Sequence, residues 1–593
     1  MNEQTDSWFS PASPPPHWDP AQADPNRYAD PSLQQVQYQP PADFQHYYQA
    51  APDQTHARPL ATAPVPTAPP AAVPGTESDR YEGQFGKPYK EASAFETAPY
   101  EIPETPETGW SAAPSRRRRW IGRILLIGVL AMQALLSFGL SSGASPEEAI
   151  NLVVGRQEYA HLADGTAVTT DLVDRVPGSA SLYPVLAGAV DKLGGLSAVR
   201  LLSLLFALAA TALLYSLTRR MFNERVAACA AAAYAVLQST IVVGYYASPD
   251  ALALMLVALA AWIVVYTDRA NGFVVLVAAP VAALAAAVDH TAVLVLPTVL
   301  LLAVHTAWPY KGPAKGLLRG IVLGVGIAAP LLVTGAFGAI KDSTLTRGQG
   351  DEGAWDILTT SAQWSGLFLL LACGGAVAWV RRERMNEAVD MDSVPGSPLR
   401  RAALGLTLCA TAALIPLLQA QLHTSEGMFR HIAFGLLLAA PLTGLGITRM
   451  IGAHFRHPQL GILAWVLMLA LGISQSGQRF ESWPDSNNLA EVLRPHVNAR
   501  GTYLSEVEGV PEYYLGSRTS PGQWVSLADG RVGDVTKGRY GAIVLDTVTS
   551  GAQSAREKAV TQAVRIGGHY RLIAQLPYRD NGKHRVYRVY VKQ

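Results

Sequence analysis

The pattern of apolar and polar positions divides the chain into three unlike stretches. Residues 1–115 show no apolar periodicity and carry proline groups such as Pro14–Pro16 and Pro69–Pro70. A segment of this kind buries too little surface to offset the entropy of ordering, and it reads as a disordered tail. Over residues 116–476 long apolar runs recur, each close to the roughly 20 residues a helix needs to cross a bilayer. Hydropathy predicts about eleven spans, near 119–141, 198–218, 226–246, 251–267, 272–288, 291–308, 317–337, 365–380, 402–421, 431–449 and 459–475. Residues 477–593 return to mixed polarity. There Thr502–Leu504, Ala542–Leu545, His569–Ala574 and Val586–Val591 read as strands, and Ala555–Ile566 as a helix stopped by Gly567 and Gly568. The predicted fold is a polytopic α-helical membrane protein with a small C-terminal α/β domain.

Charge orients this arrangement. Arg116–Arg119 stand directly before the first apolar run, which is too long and too internal for a cleavable signal peptide. It reads as a signal anchor with a cytoplasmic N-terminus. Basic residues then favour alternate loops: Arg219, Arg220 and Arg225; Arg269; Lys311, Lys315 and Arg319; Arg381, Arg382, Arg384, Arg400 and Arg401; Arg449 and Arg456. This bias predicts a multi-pass plasma-membrane protein whose C-terminal domain is extracytoplasmic. The net charge of +1 adds nothing to that distribution. Cys229, Cys373 and Cys409 all fall in apolar runs and read as small buried thiols.

The ionisable residues that do not serve as cytoplasmic anchors gather at the opposite span ends: Glu147, Glu148, Asp250, Asp289, His290, Arg430 and His431. Charge near the bilayer is costly, so such a cluster marks a candidate site. Each residue also has a plainer reading. Glu147 and Glu148 open a helix running to Tyr159, where negative charge suits the first turn. Asp250 follows Pro249 at a span start, as a capping residue would. Arg200 has the reach to snorkel to the interface, and Asp289-His290 to form a polar hairpin. Residues 181–193 form a short amphipathic stretch suited to the interface rather than to crossing. Lys341, Arg347 and Asp351, among Gly348, Gly350 and Gly353, suit either a mobile lid or a solvated loop. The C-terminal domain has no Gly-rich phosphate loop, zinc-ligand spacing or nucleophile elbow.

Several of these pieces occur in a familiar order. Glu147-Glu148 is followed by Gly155, His161 and Gly165, then by Leu182-Tyr183-Pro184 and by Gly194–Ser203 with Arg200 inside it. Tyr245–Leu252 contains Asp250, and His423-Thr424 precedes Arg430-His431 at a span start. Together they resemble the GT-C membrane glycosyltransferases, in the protein-mannosyltransferase and aminoarabinose-transferase branch, over residues 120–530. The resemblance implies an inverting transfer of a sugar, mannose among the candidates, from a polyprenyl-phosphate donor. It implies an extracytoplasmic acceptor (protein, glycan or lipid) and no nucleic-acid partner. Glu147 stands where the family carries its catalytic Asp. The chain also departs from the family pattern at Asn151, where Tyr is common, and at Val185, after Tyr183-Pro184.

By this resemblance Glu147 is the general base, with Glu148 and Asp250 as further acidic residues at the acceptor. Arg200, Arg430, His431 and His290 are the candidate ligands of the donor phosphate, arginine offering a planar fork suited to phosphate oxygens. No cofactor is certain, and a divalent cation held by Glu148 and Asp250 is an open possibility. Trp483, Trp524 and the pair Tyr513-Tyr514 are candidate sugar-facing rings or core. Two other readings stay open. A lipid-glycan transporter or flippase would place polar or broken-helix features at mid-depth, and the spans are almost free of charge there. A catalytically weak scaffold that binds lipid-linked glycans is the other.

Overall fold

The structure is a computed structural model of the 593-residue chain. It describes residues 116–593 apart from short internal segments, chiefly 139–142, 339–351, 382–397, 453–456 and 549–553. The predicted tail, and Lys341, Arg347, Gly348, Gly350 and Asp351 of the predicted loop, lie outside the described residues.

Each predicted span overlaps helical structure, nine of them as a single long apolar helix. In chain order these are α1 (Arg116–Ser137), α3 (Tyr183–Met221), α4 (Glu224–Ala235), α5 (Gln238–Tyr245), α6 (Pro249–Tyr266), α7 (Ala278–Val288), α8 (Leu296–Lys311), α9 (Pro313–Val333), α10 (Ala354–Val380), α11 (Pro398–Leu422), α12 (Met428–Ile451) and α13 (Pro458–Glu481), with α2 (Pro146–Asp164) between the first two. Among the described residues nine helices are long and apolar enough to cross a bilayer, and ten if α4 and α5 are one broken span. The predicted eleven differ for two local reasons. The run 226–246 bends by 69° between α4 and α5. There Gly472 of α13 lies so close that a Cβ on it would run into the Val236 carbonyl. The run 272–288 opens as a 3-10 turn, Gly272–Val277, and leaves only a short apolar helix.

Helix α12 is the axis of the bundle, its apolar window entirely enclosed by other helices. Small residues permit this. A Cβ on Gly375 of α10 would strike the Leu442 carbonyl, and one on Gly446 of α12 would strike the Leu371 carbonyl. Close backbone approach of this kind gives dispersion contact where apolar lipid supplies no hydrophobic drive. Helix α3 is broken at Gly194 and Gly195, the latter at φ 66°, a left-handed geometry that glycine adopts without penalty. The break separates the amphipathic stretch 183–193 from the span after it, as the pattern predicts.

Beyond α13 the chain forms a five-stranded sheet in the order β2-β1-β3-β5-β4. Strands β1 (Tyr503–Ser505), β2 (Trp524–Ser526) and β3 (Ala542–Val548) are parallel, while β5 (Lys583–Lys592) runs antiparallel to β3 and to β4 (Tyr570–Asp580). The short strand β2 has no counterpart in the strands that the sequence predicts. Trp524 is core, its ring 4.7 Å from that of Tyr503.

This C-terminal unit is fastened to the helix end that carries the acidic residues. Asp191 of α3 accepts from Arg156 of α2 at 2.5 Å and from the Tyr513 hydroxyl at 2.9 Å. The backbone just before α2 is gripped as well. The Ala144 amide donates to the Tyr514 hydroxyl at 2.7 Å, the Ser486 hydroxyl donates to the Ala144 carbonyl at 2.6 Å, and the Trp483 indole donates to the Gly143 carbonyl at 3.0 Å.

Candidate active site

The site begins with a capping box. Ser145 accepts from the Glu148 amide at 3.2 Å, and the Glu148 carboxylate accepts from the Ser145 amide at 2.9 Å. This is the Ser-x-x-Glu pattern of a helix start, legible at Ser145–Glu148 but absent from the sequence reading above. The box turns the two neighbouring glutamates to different tasks. Glu148 is fully buried, so the picture of two carboxylates on an exposed helix start does not hold for it. Its two oxygens take the Arg200 Nε at 2.9 Å, the Arg200 Nη2 at 2.7 Å and the Ala247 amide at 2.9 Å in addition to the Ser145 amide. Glu147 keeps a side chain 39% exposed.

Arg200 is expected at the phosphate but is committed elsewhere. Besides Glu148 it donates to the Tyr245 hydroxyl at 2.5 Å and to the Gly143 carbonyl at 2.9 Å. Its guanidinium lies 4.2 Å from the Tyr245 ring centroid. This buried pair ties the loop before α2 to the loop before α6. The cation considered for Glu148 would have to displace the Arg200, Ala247 and Ser145 donors that hold its oxygens.

Arg430 makes the central junction. It sits in the first turn of α12, buried, and donates Nη1 to Asp250 Oδ2 at 2.8 Å and Nη2 to Glu147 Oε2. Its guanidinium stacks 4.4 Å from the Tyr246 ring centroid and 5.1 Å from that of Phe429. Asp250 does not act as a helix cap. Its carboxylate takes the Ser248 hydroxyl and Arg430, and its Oδ1 lies 3.3 Å from His431 Nε2. Residues nearly 300 positions apart, Glu147 and Arg430, thus meet with Asp250 at one end of the bundle.

Further residues complete the surroundings. The Tyr246 hydroxyl accepts from the Ser145 hydroxyl at 2.7 Å, and its ring packs 5.2 Å from Trp483. Trp483 is therefore part of the site wall. Asp289 caps the 3-10 turn His290–Val295 through the Thr291 amide at 2.8 Å and lies beside Asp250 and His431. His290 is half-buried at the start of that turn. His423 is set apart, its Nδ1 2.9 Å from the Glu352 carbonyl.

Comparison with known proteins finds a family model that matches part of the chain. The family model for dolichyl-phosphate-mannose-protein mannosyltransferase matches residues 186–333, so over that stretch the chain is similar to the branch its motifs resemble. No curated protein matches. Among solved structures, the ArnT of Cupriavidus metallidurans bound to undecaprenyl phosphate is 13% identical at a TM-score of 0.48, over 79% of this chain and 97% of that one. The apo oligosaccharyltransferase of Archaeoglobus fulgidus is 9% identical at 0.47, over 73% and 70%. The arabinofuranosyltransferase AftD from Mycobacteria is 17% identical at 0.45, over 80% and 41%.

Proposed function

We propose that this chain is an inverting membrane glycosyltransferase that moves a hexose, mannose first among the candidates, from a polyprenyl-phosphate donor to an extracytoplasmic acceptor. The observation that carries the reading is the Arg430 bridge between buried Asp250 and half-exposed Glu147. It supplies a cation for a phosphate beside a carboxylate that solvent and an acceptor hydroxyl can reach. The basic bias of the alternate loops supports placing this end, with the C-terminal unit, outside the membrane.

Glu147 acts as the general base. Its carboxylate takes the acceptor hydroxyl proton while the acceptor oxygen attacks the anomeric carbon. The bond from that carbon to the phosphate oxygen breaks, and its electron pair leaves with the polyprenyl phosphate. Arg430 stabilises the charge gathering there. Asp250 holds the guanidinium in place through the first turn of α6. Because Arg430 also binds Glu147, the donor phosphate competes for that guanidinium, and its arrival frees the base. Donor binding thus precedes base activation. Glu148 and Arg200 act at one remove, fixing the helix start from which Glu147 projects.

The test uses the purified full-length protein and a polyprenyl-phosphate mannose. Sugar transfer abolished by Glu147→Gln and by Asp250→Asn supports the enzyme. Movement of the lipid sugar across a bilayer without transfer would point instead to a flippase, and binding without either to a lipid-glycan scaffold.

A further inference from the structure

We propose that the end of the bundle opposite the candidate active site binds the phosphate headgroup of one anionic phospholipid, where α3, α6 and α8 end and α9 begins. The 18-residue helix α6 sets this place about 27 Å from Asp250. Four chain segments bring basic side chains to it: Arg220 in the last turn of α3, Arg269 just after α6, Lys311 in the last turn of α8, and Lys315 and Arg319 in the first two turns of α9. The same groups tie these segments together. Arg220 Nη2 donates to Asp268 Oδ1 at 3.1 Å, Arg269 Nη2 donates to the Tyr310 hydroxyl at 3.2 Å, and Lys311 donates to the Ala270 carbonyl.

The charge is not balanced within this group. Arg319 is 1% exposed, yet its partners are uncharged. They are the Val264 carbonyl and the Thr267 hydroxyl at 2.7 Å, and the Ala303 carbonyl and the Thr306 hydroxyl at 3.3 Å; its Nε has no partner. Such oxygens satisfy N–H groups, but a buried unit charge stays costly without a counter-charge. Among the described residues, Asp268 is the one carboxylate in an ion pair with any of the five basic groups, and Arg220 holds it. Five cations against one carboxylate leave an excess of four. Arg269 and Lys315 are exposed, so an anion can reach them while Arg319 adds its field from beneath.

The surroundings suit a lipid rather than a soluble anion. The Tyr266 and Tyr310 rings lie 5.9 Å and 4.6 Å from the guanidinium groups of Arg220 and Arg269, as amphipathic rings do at headgroup depth. Phe273, four residues beyond Arg269, and Leu317 and Ile321, on either side of Arg319, are each more than half exposed. They give acyl chains an apolar surface next to the charge. On the orientation that the loop charges predict, this end meets the leaflet that carries anionic lipid, where basic pockets between helices hold phosphate headgroups. The site stands independently of the transferase reading.

Full-length protein in detergent is titrated with phosphatidylglycerol, with phosphatidylcholine and with inorganic phosphate, and bound molecules are counted by native mass spectrometry. One phosphatidylglycerol per chain is expected to stay bound where phosphatidylcholine does not. Each of Arg269→Gln and Lys315→Gln weakens that binding about fivefold and the two together about thirtyfold. Arg381→Gln, which removes an exposed charge at the end of α10, leaves it unchanged. Equal retention of phosphatidylcholine, or an equal loss in Arg381→Gln, would reduce the site to a diffuse positive field and overturn it. Displacement of the lipid by inorganic phosphate at equal concentration would overturn it in favour of a soluble anion.

Discussion

Two neighbouring glutamates with similar sequence contexts have opposite fates, and the difference is testable. Glu147 is half-exposed and shared with Arg430, whereas Glu148 is enclosed with Arg200. If Glu147 is the base proposed above, shortening it to Asp shifts its oxygens by about an ångström, and transfer is expected to fall by about 10²-fold. On the same proposal Arg430→Met removes the cation that would face the phosphate and is expected to cost about 10²–10³ in kcat, read with saturating donor. Arg200→Met strands a buried carboxylate and should lower unfolding stability by about 3–5 kcal/mol. The double variant Glu148→Gln, Arg200→Met recovers part of that loss, measured by thermal or denaturant unfolding in detergent; equal loss in single and double variants would contradict a buried pair. At this scale the residue types were legible but not their partners. Asp250 and Arg430 stood out because charge is rare at span ends, yet nothing in sequence spacing tells Arg200, which is spent on structure, from Arg430.

Among the elements, the crossing of α10 and α12 depends on glycine at 375 and 446. Gly375→Val places two methyl groups and a Cβ against the Leu442 backbone, and overpacking of this kind costs about 1–3 kcal/mol. A lower melting temperature with unchanged helical content is the expected reading, and an unaltered one would show that the helices part freely. The spans themselves were plain in the sequence, because a bilayer demands long apolar runs that satisfy their own backbone. Their interruptions were less plain. The break in α3 lies at a visible Gly-Gly, but the bend between α4 and α5 has no glycine or proline at Val236-Leu237, and its neighbour Gly472 belongs to a distant helix.

For the whole molecule, the C-terminal unit is joined to the loop that presents Glu147, so its stability bears on the site. Burial, with the nearby Glu557 and Asp546 carboxylates, pushes Glu506 of this unit from an ordinary 4.5 up to about 7. The folded state therefore holds this proton more tightly than the unfolded one. Its contribution to stability is present below about pH 4.5 and is lost as pH rises through about 7. Glu506→Gln in the full-length protein is expected to raise the melting temperature at pH 8 and leave it little changed at pH 5; an equal shift at both pH values would exclude this linkage. The sequence by itself determined the membrane class, the positions of the apolar helices and the kinds of residue at one end, since hydropathy and charge are properties of local composition. Only the tertiary structure decided that Glu147, Asp250 and Arg430 meet, that Arg200 is occupied, and that Asp289 faces His431. Those contacts join segments far apart in the chain, and which of them form is settled by how α2, α6 and α12 pack together.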